Sequence, residues 1–185
     1  SAGAVWGYDG YQGVTSLTAM GAINRGDMEE MEARLPWRIL KYEMVEDFTG
    51  EGQWRGGPGI HWEAVNEGSD GQMATGSSDG DVVQGFGAQG GNPSPVCRTY
   101  IDRGDERIRV KPHRMVDVKE GDIIIKQSSG GGGVGDPAAR DPEMVLEDVT
   151  NELVSIEAAR DVYKVEIDRE TLTIDEGKTA KLRAA

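Results

Sequence analysis

The pattern that most strongly suggests chemistry is a glycine run near residue 130. Residues 128–135 read S-S-G-G-G-G-V-G and precede Asp136 and Pro137, and the apolar stretch 123–125 before them predicts a buried strand. A glycine-rich turn after a strand can present backbone N–H groups to an anion such as phosphate. No Lys-Ser or Lys-Thr pair and no immediate helix follow, so the run is neither a P-loop nor a dinucleotide fingerprint. The sequence favours the alternative, a bend in which two backbones pack closely.

The histidines and the cysteine do not complete a reactive set. His61 and Glu63 lie two residues apart on one side of a predicted strand, but a metal site needs three or four convergent ligands. His113 follows a proline and is expected in a solvated turn. Cys97 lies beside Arg98, whose charge could lower the pKa of the thiol. Because no second cysteine or nearby histidine supports catalysis, we expect a packed thiol, and the sequence predicts no metal site.

Two charged residues next to glycines have competing interpretations. Arg55 precedes Gly56 and Gly57 and could bind a carboxylate through two parallel hydrogen bonds. A structural ion pair explains Arg55 as well, and the sequence favours it. Asp136 is expected to accept backbone N–H groups and cap the turn after the glycines, with a catalytic role as the weaker alternative. No catalytic residue is identified.

Composition and charge exclude several classes of protein. Lys and Arg number 20 against 33 Asp and Glu, a net charge of −13, and such a field repels nucleic-acid phosphates and anionic membrane surfaces. No apolar run approaches the ~20 residues that span a bilayer, and no charged-then-apolar segment opens the sequence as a signal peptide does. A lone cysteine fits a reducing compartment. We therefore predict a cytoplasmic protein that binds neither nucleic acid nor membrane.

The elements predict an α+β, mainly β fold: a glycine-rich sandwich or open barrel followed by a short helical tail. A short helix over 28–35 ends at Pro36, and strands are expected at 36–45, 60–64, 72–77, 96–101, from Ile108, and at 123–125. We expect three parts: a glycine-rich arm at 1–27, ordered by a partner, a β-rich domain at 28–136, and a helical tail at 137–185. Strand order is not predicted.

The tail carries clear helix signals. Asp141 and Pro142 are typical of a helix N-cap and first turn, and Ser155 is expected to cap a second helix. A short extended segment is predicted at 171–174 and a last short helix at 175–182.

Several segments together resemble one family, the hydantoinase B/oxoprolinase proteins. Residues 130–137 resemble the G-G-G-G-x-G-D-P signature near that family's C-terminus, and the stretch from Arg140 to Tyr163 is similar to its ending. Residues 54–59 resemble its G-x-x-R-G-G-x-G segment, residues 34–43 the P-x-R-x-x-x-Y-E stretch before it, and Asp9, Gly10 and Gly13 its D-G-x-x-G motif. The matches follow the order of the family from end to end.

The resemblance implies a function that the residues alone do not show. Members act with a large ATP-binding, hydantoinase A-like subunit, and ATP and Mg are expected in that partner rather than in this chain. They hydrolyse cyclic amides such as N-methylhydantoin or 5-oxoproline, or carboxylate ketones such as acetone or acetophenone, through phosphorylation of an enolised substrate oxygen. We therefore expect this chain to be a small subunit, or the C-terminal part of one, in such an enzyme, without catalysis of its own.

The resemblance covers only part of the family's length, and it implies candidate residues for a binding loop. It covers only the end of the family's usual length, and the N-terminal hydantoinase B-like portion, where a metal is expected, is a required partner. Residues 78–81 depart from the family's S-D-R stretch. The alternative function is a non-catalytic structural or binding module within an assembly. The candidate binding-loop residues are Asp9, Gly10, Arg55, Gly56, Gly57, Asp79, Gly130, Gly131, Gly132, Gly133 and Asp136.

Overall fold

Seven strands form two antiparallel sheets in the computed structural model, which describes residues 1–11, 27–75 and 79–184. One sheet has five strands in the order β1-β2-β7-β4-β5, and the other pairs β3 with β6. The mainly β, α+β class predicted from the sequence is confirmed. The strands are β1 (Trp37–Met44), β2 (Ile60–Asn66), β3 (Gly71–Thr75), β4 (Arg98–Arg103), β5 (Glu106–Val110), β6 (Arg114–Val118) and β7 (Ile123–Ser128).

The core of the β-rich part lies between the two sheets. Ile101 on β4 is paired with Ile124 on β7, which is paired in turn with Ala64 on β2. These three side chains share one face because cross-strand partners point the same way. Val118 of β6 packs against that face, with Ile101, Ile124 and Val118 all 3% exposed or less. The apolar run 123–125 is therefore the central buried strand that its composition predicts.

The first two helices of the tail begin directly after the N-cap residues expected from the sequence. Asp141 accepts a hydrogen bond from Glu143 N at 3.0 Å and Ser155 accepts one from Ala158 N at 3.0 Å, so each side chain satisfies a free N–H of the first turn. The tail has its own buried cluster, which includes Val145 and Tyr163. The helices are α1 (Met28–Arg34), α2 (Pro142–Thr150), α3 (Ile156–Asp161) and α4 (Glu176–Ala184), with 3-10 helices at Asp79–Asp81 and Pro137–Ala139.

Strand β6 is the element that the sequence analysis missed. The turn expected around His113 is present, with a positive φ of 56°, but the chain then runs extended from Arg114 to Val118 and pairs with β3. The predicted strand over 72–77 is observed at 71–75, and its last residues lie outside the described part.

Within the described residues, no helix is long and apolar enough to cross a bilayer.

Asp122 ties the turn before β7 to β4. Its buried carboxylate accepts hydrogen bonds from Arg103 Nη2 at 2.6 Å and from Lys119 N at 2.8 Å. The Arg103 hydrogen bonds, with help from the Lys119 N–H and against the effect of burial, lower the pKa of Asp122 below its usual range. The stabilisation is therefore present above the unfolded-state pKa of about 3.9 and is lost as the pH falls through the lower, folded-state pKa.

Replacing Asp122 with asparagine is expected to lower the free energy of unfolding by about 1.5–3 kcal/mol at pH 7, because charged hydrogen bonds are lost. Urea unfolding from pH 7 down to acid conditions measures the difference between parent and variant. We expect the difference to shrink below about pH 4. A difference that stays constant over this range would contradict the role of the ionised carboxylate.

Candidate functional site

The glycine run near residue 130 lies among other extended backbone segments and is joined to them by main-chain hydrogen bonds. Gly131 N donates to Gly57 O at 2.8 Å, and Gly131 O accepts from Gly50 N at 2.8 Å. On the other side, Gly133 N donates to Asn92 O at 3.0 Å. The run is therefore a packed, hydrogen-bonded segment rather than a free loop. We name these packed segments the glycine layer: residues 1–4, 50–57, 86–92 and 130–135.

The glycine layer leaves no room for side chains. A Cβ atom built on Gly56 would lie 2.1 Å from Gly131 O, and one on Gly132 would lie 2.1 Å from Phe86 O. Both neighbours are backbone atoms, which cannot rotate away as the end of a side chain can. Glycine is required here because neighbouring main chains touch at the position where any other residue carries its Cβ.

This packing limits what the run can bind. The N–H groups of Gly131 and Gly133 are occupied by protein carbonyls, so they cannot hold an anion without breaking those bonds. Asp136, at the end of the run, turns away and accepts a hydrogen bond from Ala138 N at 2.9 Å as the N-cap of a 3-10 helix. The glycine run therefore has the close backbone packing that the sequence favoured.

Four charged side chains, which we name the Arg–Asp cluster, lie beside the glycine layer: Asp9, Arg55, Arg140 and Asp148. Arg55 donates to Asp148 Oδ1 from Nη2 at 2.9 Å and from Nε at 3.1 Å. Arg140 donates to both oxygens of Asp9, at 2.8 and 2.7 Å, and its Nη2 lies 2.8 Å from Asp148 Oδ2. The Arg55 N–H also donates to Asp9, at 2.7 Å. The cluster joins the arm, the glycine layer and α2.

Within the Arg–Asp cluster, Asp9 and Arg140 favour each other's charged state. Burial raises the pKa of Asp9, but hydrogen bonds and charge from Arg140, with the Arg55 N–H, outweigh it and lower the pKa overall. Burial lowers the pKa of Arg140, but Asp9 and Asp148 outweigh it and raise the pKa overall. Burial raises the pKa of the neighbouring Tyr163 hydroxyl far above its usual range. Asp9 and Arg140 thus form a buried ion pair, and the cluster acts as a structural clamp between the arm and α2.

A cavity of about 320 Å³ lies against the glycine layer. Its lining includes Phe86, Ser94 and Ser129 together with the arm at residues 1–4 and the glycine run. Ser94 Oγ accepts a hydrogen bond from Gly85 N at 3.0 Å. Among the described lining residues there is no ionisable side chain. The lining therefore offers backbone and hydroxyl groups.

Four large aromatic side chains, on the arm and on the glycine layer, face solvent, and one of them, Phe86, lines the cavity. We name them the aromatic rim: Trp6, Tyr8, Tyr11 and Phe86, which are 63%, 69%, 72% and 84% exposed. Exposed apolar patches of this kind mark surfaces that contact another protein segment.

Two other candidates from the sequence have ordinary structural environments. His61 Nε2 lies 2.5 Å from Glu63 Oε1, and no group of three or more metal-binding side chains occurs among the described residues. Cys97 is buried, and burial, with the Asp81 charge, raises the pKa of its thiol. The Arg98 charge lowers that pKa, as expected, but its effect is outweighed, and Arg98 is itself paired with Asp81 at 2.7 Å.

The structure brings most of the predicted binding-loop residues together but not all. Asp79 begins a 3-10 helix, and its side chain lies outside the described part, as do residues 12–26 with Gly13. Arg140 and Asp148 were not predicted as site residues, although both stand in the stretch that carries the family resemblance. Gly10 packs against the glycine layer, with its N–H donating to Arg55 O at 2.7 Å. The predicted residues that lie in the glycine layer or the Arg–Asp cluster are Asp9, Arg55, Gly56, Gly57, Gly130, Gly131, Gly132 and Gly133.

Comparisons with known proteins identify the family of this chain. The sequence profile of hydantoinase B/oxoprolinase matches residues 1–137. The beta subunit of the caprolactamase from Pseudomonas jessenii is 34% identical over 190 residues, covering 100% of this chain and 32% of that protein. The B subunit of a putative D-/L-hydantoinase from Pseudomonas sp. is 31% identical over 186 residues, covering 99% of this chain and 31% of that protein.

A solved structure shows the same fold. The crystal structure of ATP-dependent caprolactamase from Pseudomonas jessenii superposes with a TM-score of 0.72 at 30% identity, over 100% of this chain and 32% of that chain. This chain belongs to the hydantoinase B/oxoprolinase family, as the glycine motifs indicate. It spans about a third of the length of the curated relatives it matches.

Proposed function

We propose that this chain is part of the B-type component of a multisubunit, ATP-dependent enzyme that hydrolyses cyclic amides. The observation that carries the proposal is the match along the whole chain to a caprolactamase subunit, at 34% identity and with the same fold. Lactams and hydantoins share a ring amide, which supports that substrate class. Ketone carboxylation, which the sequence resemblance also implies, is the competing outcome of the experiment below.

The glycine run does not have the features of a P-loop for ATP, and the proposal assigns the nucleotide and Mg to a hydantoinase A-like partner. The glycine run has no following Lys-Ser or Lys-Thr pair, and its Gly131 and Gly133 amides are bonded to protein carbonyls. Two amides of the run are thus already occupied, and the lysine of a P-loop is lacking. In the proposal this chain supplies a rigid wall of packed backbone, which the Arg–Asp cluster fixes to α2.

The proposed assembly places further protein over the aromatic rim. That protein is the N-terminal hydantoinase B-like portion, which supplies the ionisable groups, and any metal, that the cavity wall lacks. The division into an arm at 1–27, a β-rich domain at 28–136 and a tail at 137–185 is part of the same proposal. Residues 1–4 of the arm already pack in the glycine layer, with Ala4 N donating to Gly132 O at 2.9 Å.

Reconstitution tests the proposal. The chain is co-expressed with the A-like subunit and the N-terminal B-like portion from the same source, and ADP release is measured. Caprolactam, N-methylhydantoin and 5-oxoproline are compared with acetone and acetophenone plus bicarbonate. We expect ADP release that depends on a cyclic amide and on this chain. Turnover with ketone and bicarbonate alone would overturn the cyclic-amide assignment, and equal turnover without this chain would overturn its place in the enzyme.

A matched pair of variants separates assembly from folding. Trp6→Ser combined with Phe86→Ser removes two exposed members of the aromatic rim, whereas Leu172→Ser changes an exposed apolar side chain in the tail, 42% exposed. We expect the rim variant to stay folded but to co-purify about tenfold less well with its partners, and the tail variant to co-purify normally.

A further inference from the structure

A cleft of about 430 Å³ separates β5 from β6, away from the glycine layer. Residues 111–113 connect the two strands, and the positive φ of His113, 56°, directs the chain out of the five-stranded sheet. The two strands therefore diverge instead of pairing. The floor of the cleft is apolar and includes Ile101, Ile108 and Val116.

Both strands that border the cleft have a free edge. β5 is the last strand of the five-stranded sheet and pairs only with β4 in the described part of the chain, and β6 pairs only with β3. In an antiparallel pair, alternate N–H and C=O groups point away from the partner strand. The outer edge of β5 thus presents main-chain donors and acceptors that an extended peptide can pair with.

The cleft is positively charged in an acidic protein. Residues 98–126 hold eight Lys and Arg against six Asp and Glu, whereas the whole chain has a net charge of −13. Arg103 and Arg109 line the cleft but pair with Asp122 and Asp81. Lys111 and Arg114 line it as well, and neither has an ion-pair partner among the described residues. Asp117 also lines the cleft and accepts a hydrogen bond from Gln72 Nε2 at 3.0 Å. The lining thus carries four positive charges against one negative charge, a balance that favours an acidic ligand.

We propose that this cleft binds an extended, acidic segment of a partner polypeptide, which adds a strand to the edge of β5. Alternate side chains of an added strand point to opposite faces. Apolar side chains then pack on Ile108 and Val116, while carboxylates on the other positions reach Lys111 and Arg114. The inference rests on the strand edge and the charge of this cleft and does not depend on the proposed enzymatic function.

The probe is the peptide acetyl-Gly-Glu-Val-Glu-Val-Glu-Gly-amide, titrated into the isotope-labelled full chain. We expect backbone amide shifts in NMR spectra confined to β5, β6 and residues 111–113. A peptide with the same side chains but N-methylated at alternate residues cannot donate ladder hydrogen bonds, and we expect it to bind about tenfold more weakly. A peptide with lysine in place of glutamate is expected not to bind.

Matched variants test the charge. Lys111→Ala with Arg114→Ala is expected to weaken binding about tenfold, whereas Lys126→Ala with Lys181→Ala removes the same charge elsewhere and should leave binding unchanged. Equal binding of the N-methylated peptide, or of the cleft variant, would overturn strand addition. Inorganic phosphate that produces the same shifts at the same concentration would make this a simple anion site, and the absence of any shift would overturn the proposal altogether.

Discussion

Replacing Arg140 with alanine is expected to lower the free energy of unfolding by about 3–5 kcal/mol, a large part of the stability of a single domain. Arg140 is 1% exposed, and its guanidinium contacts both Asp9 and Asp148. Its removal leaves two carboxylates in the Arg–Asp cluster with only Arg55 to balance them. The cost comes from burying an uncompensated charge, which exceeds the net contribution of the intact pair.

Urea unfolding of the full chain, followed by tryptophan fluorescence, measures this loss. The control is Arg160→Ala, which removes an arginine from an exposed pair with Asp161, 52% and 63% exposed, and should cost less than about 1 kcal/mol. Arg140→Lys is expected to recover only part of the stability, because a lysine cannot bind a carboxylate through two parallel hydrogen bonds. A loss at Arg140 no larger than that at Arg160 would show that the cluster is not a structural clamp.

The second large effect is expected at Gly56. A Gly56→Ala substitution places a methyl group 2.1 Å from Gly131 O and 2.4 Å from Gly131 C. Both atoms belong to a backbone that is itself held by hydrogen bonds, so relief requires the glycine layer to separate. We expect a loss of at least about 3 kcal/mol, together with faster proteolysis of the arm at residues 1–11.

Gly71→Ala provides the matched control for the glycine layer. No atom lies within 4 Å of a Cβ built on Gly71, and its φ is not in the left-handed region. The same chemical change should therefore alter stability by no more than about 1 kcal/mol. If Gly56→Ala proves as mild as Gly71→Ala, close backbone packing is not the reason for the glycine run.

Local signals explain which elements the sequence predicts well. The capping residues Asp141 and Ser155 set the starts of α2 and α3, and the apolar run 123–125 becomes β7 at the centre of the sheet. Each signal acts within a few residues of the chain, so it is visible before the fold is known. The family resemblance shows that the glycine motifs follow one another in the order of a known family, but it does not show how they pack together.

Long-range contacts explain what the sequence does not reveal. Strand β6 is only five residues long, includes the charged Arg114 and Asp117, and is held extended by its pairing with β3, some 40 residues earlier in the chain. Arg55 and Asp148 are 93 residues apart, and Asp9 and Arg140 are 131 apart, so nothing local identifies them as partners. Glycine runs are equally ambiguous, because the same residues suit a phosphate loop and a layer of packed backbones.

The most direct test of the account is native mass spectrometry of the protein purified from its own source under mild conditions. The account predicts a complex in which this sequence is present with a large ATP-binding, hydantoinase A-like subunit and an N-terminal hydantoinase B-like portion, whether that portion is joined to it or separate. A monodisperse monomer of this chain without companion subunits would contradict the assignment to a multisubunit ATP-dependent enzyme.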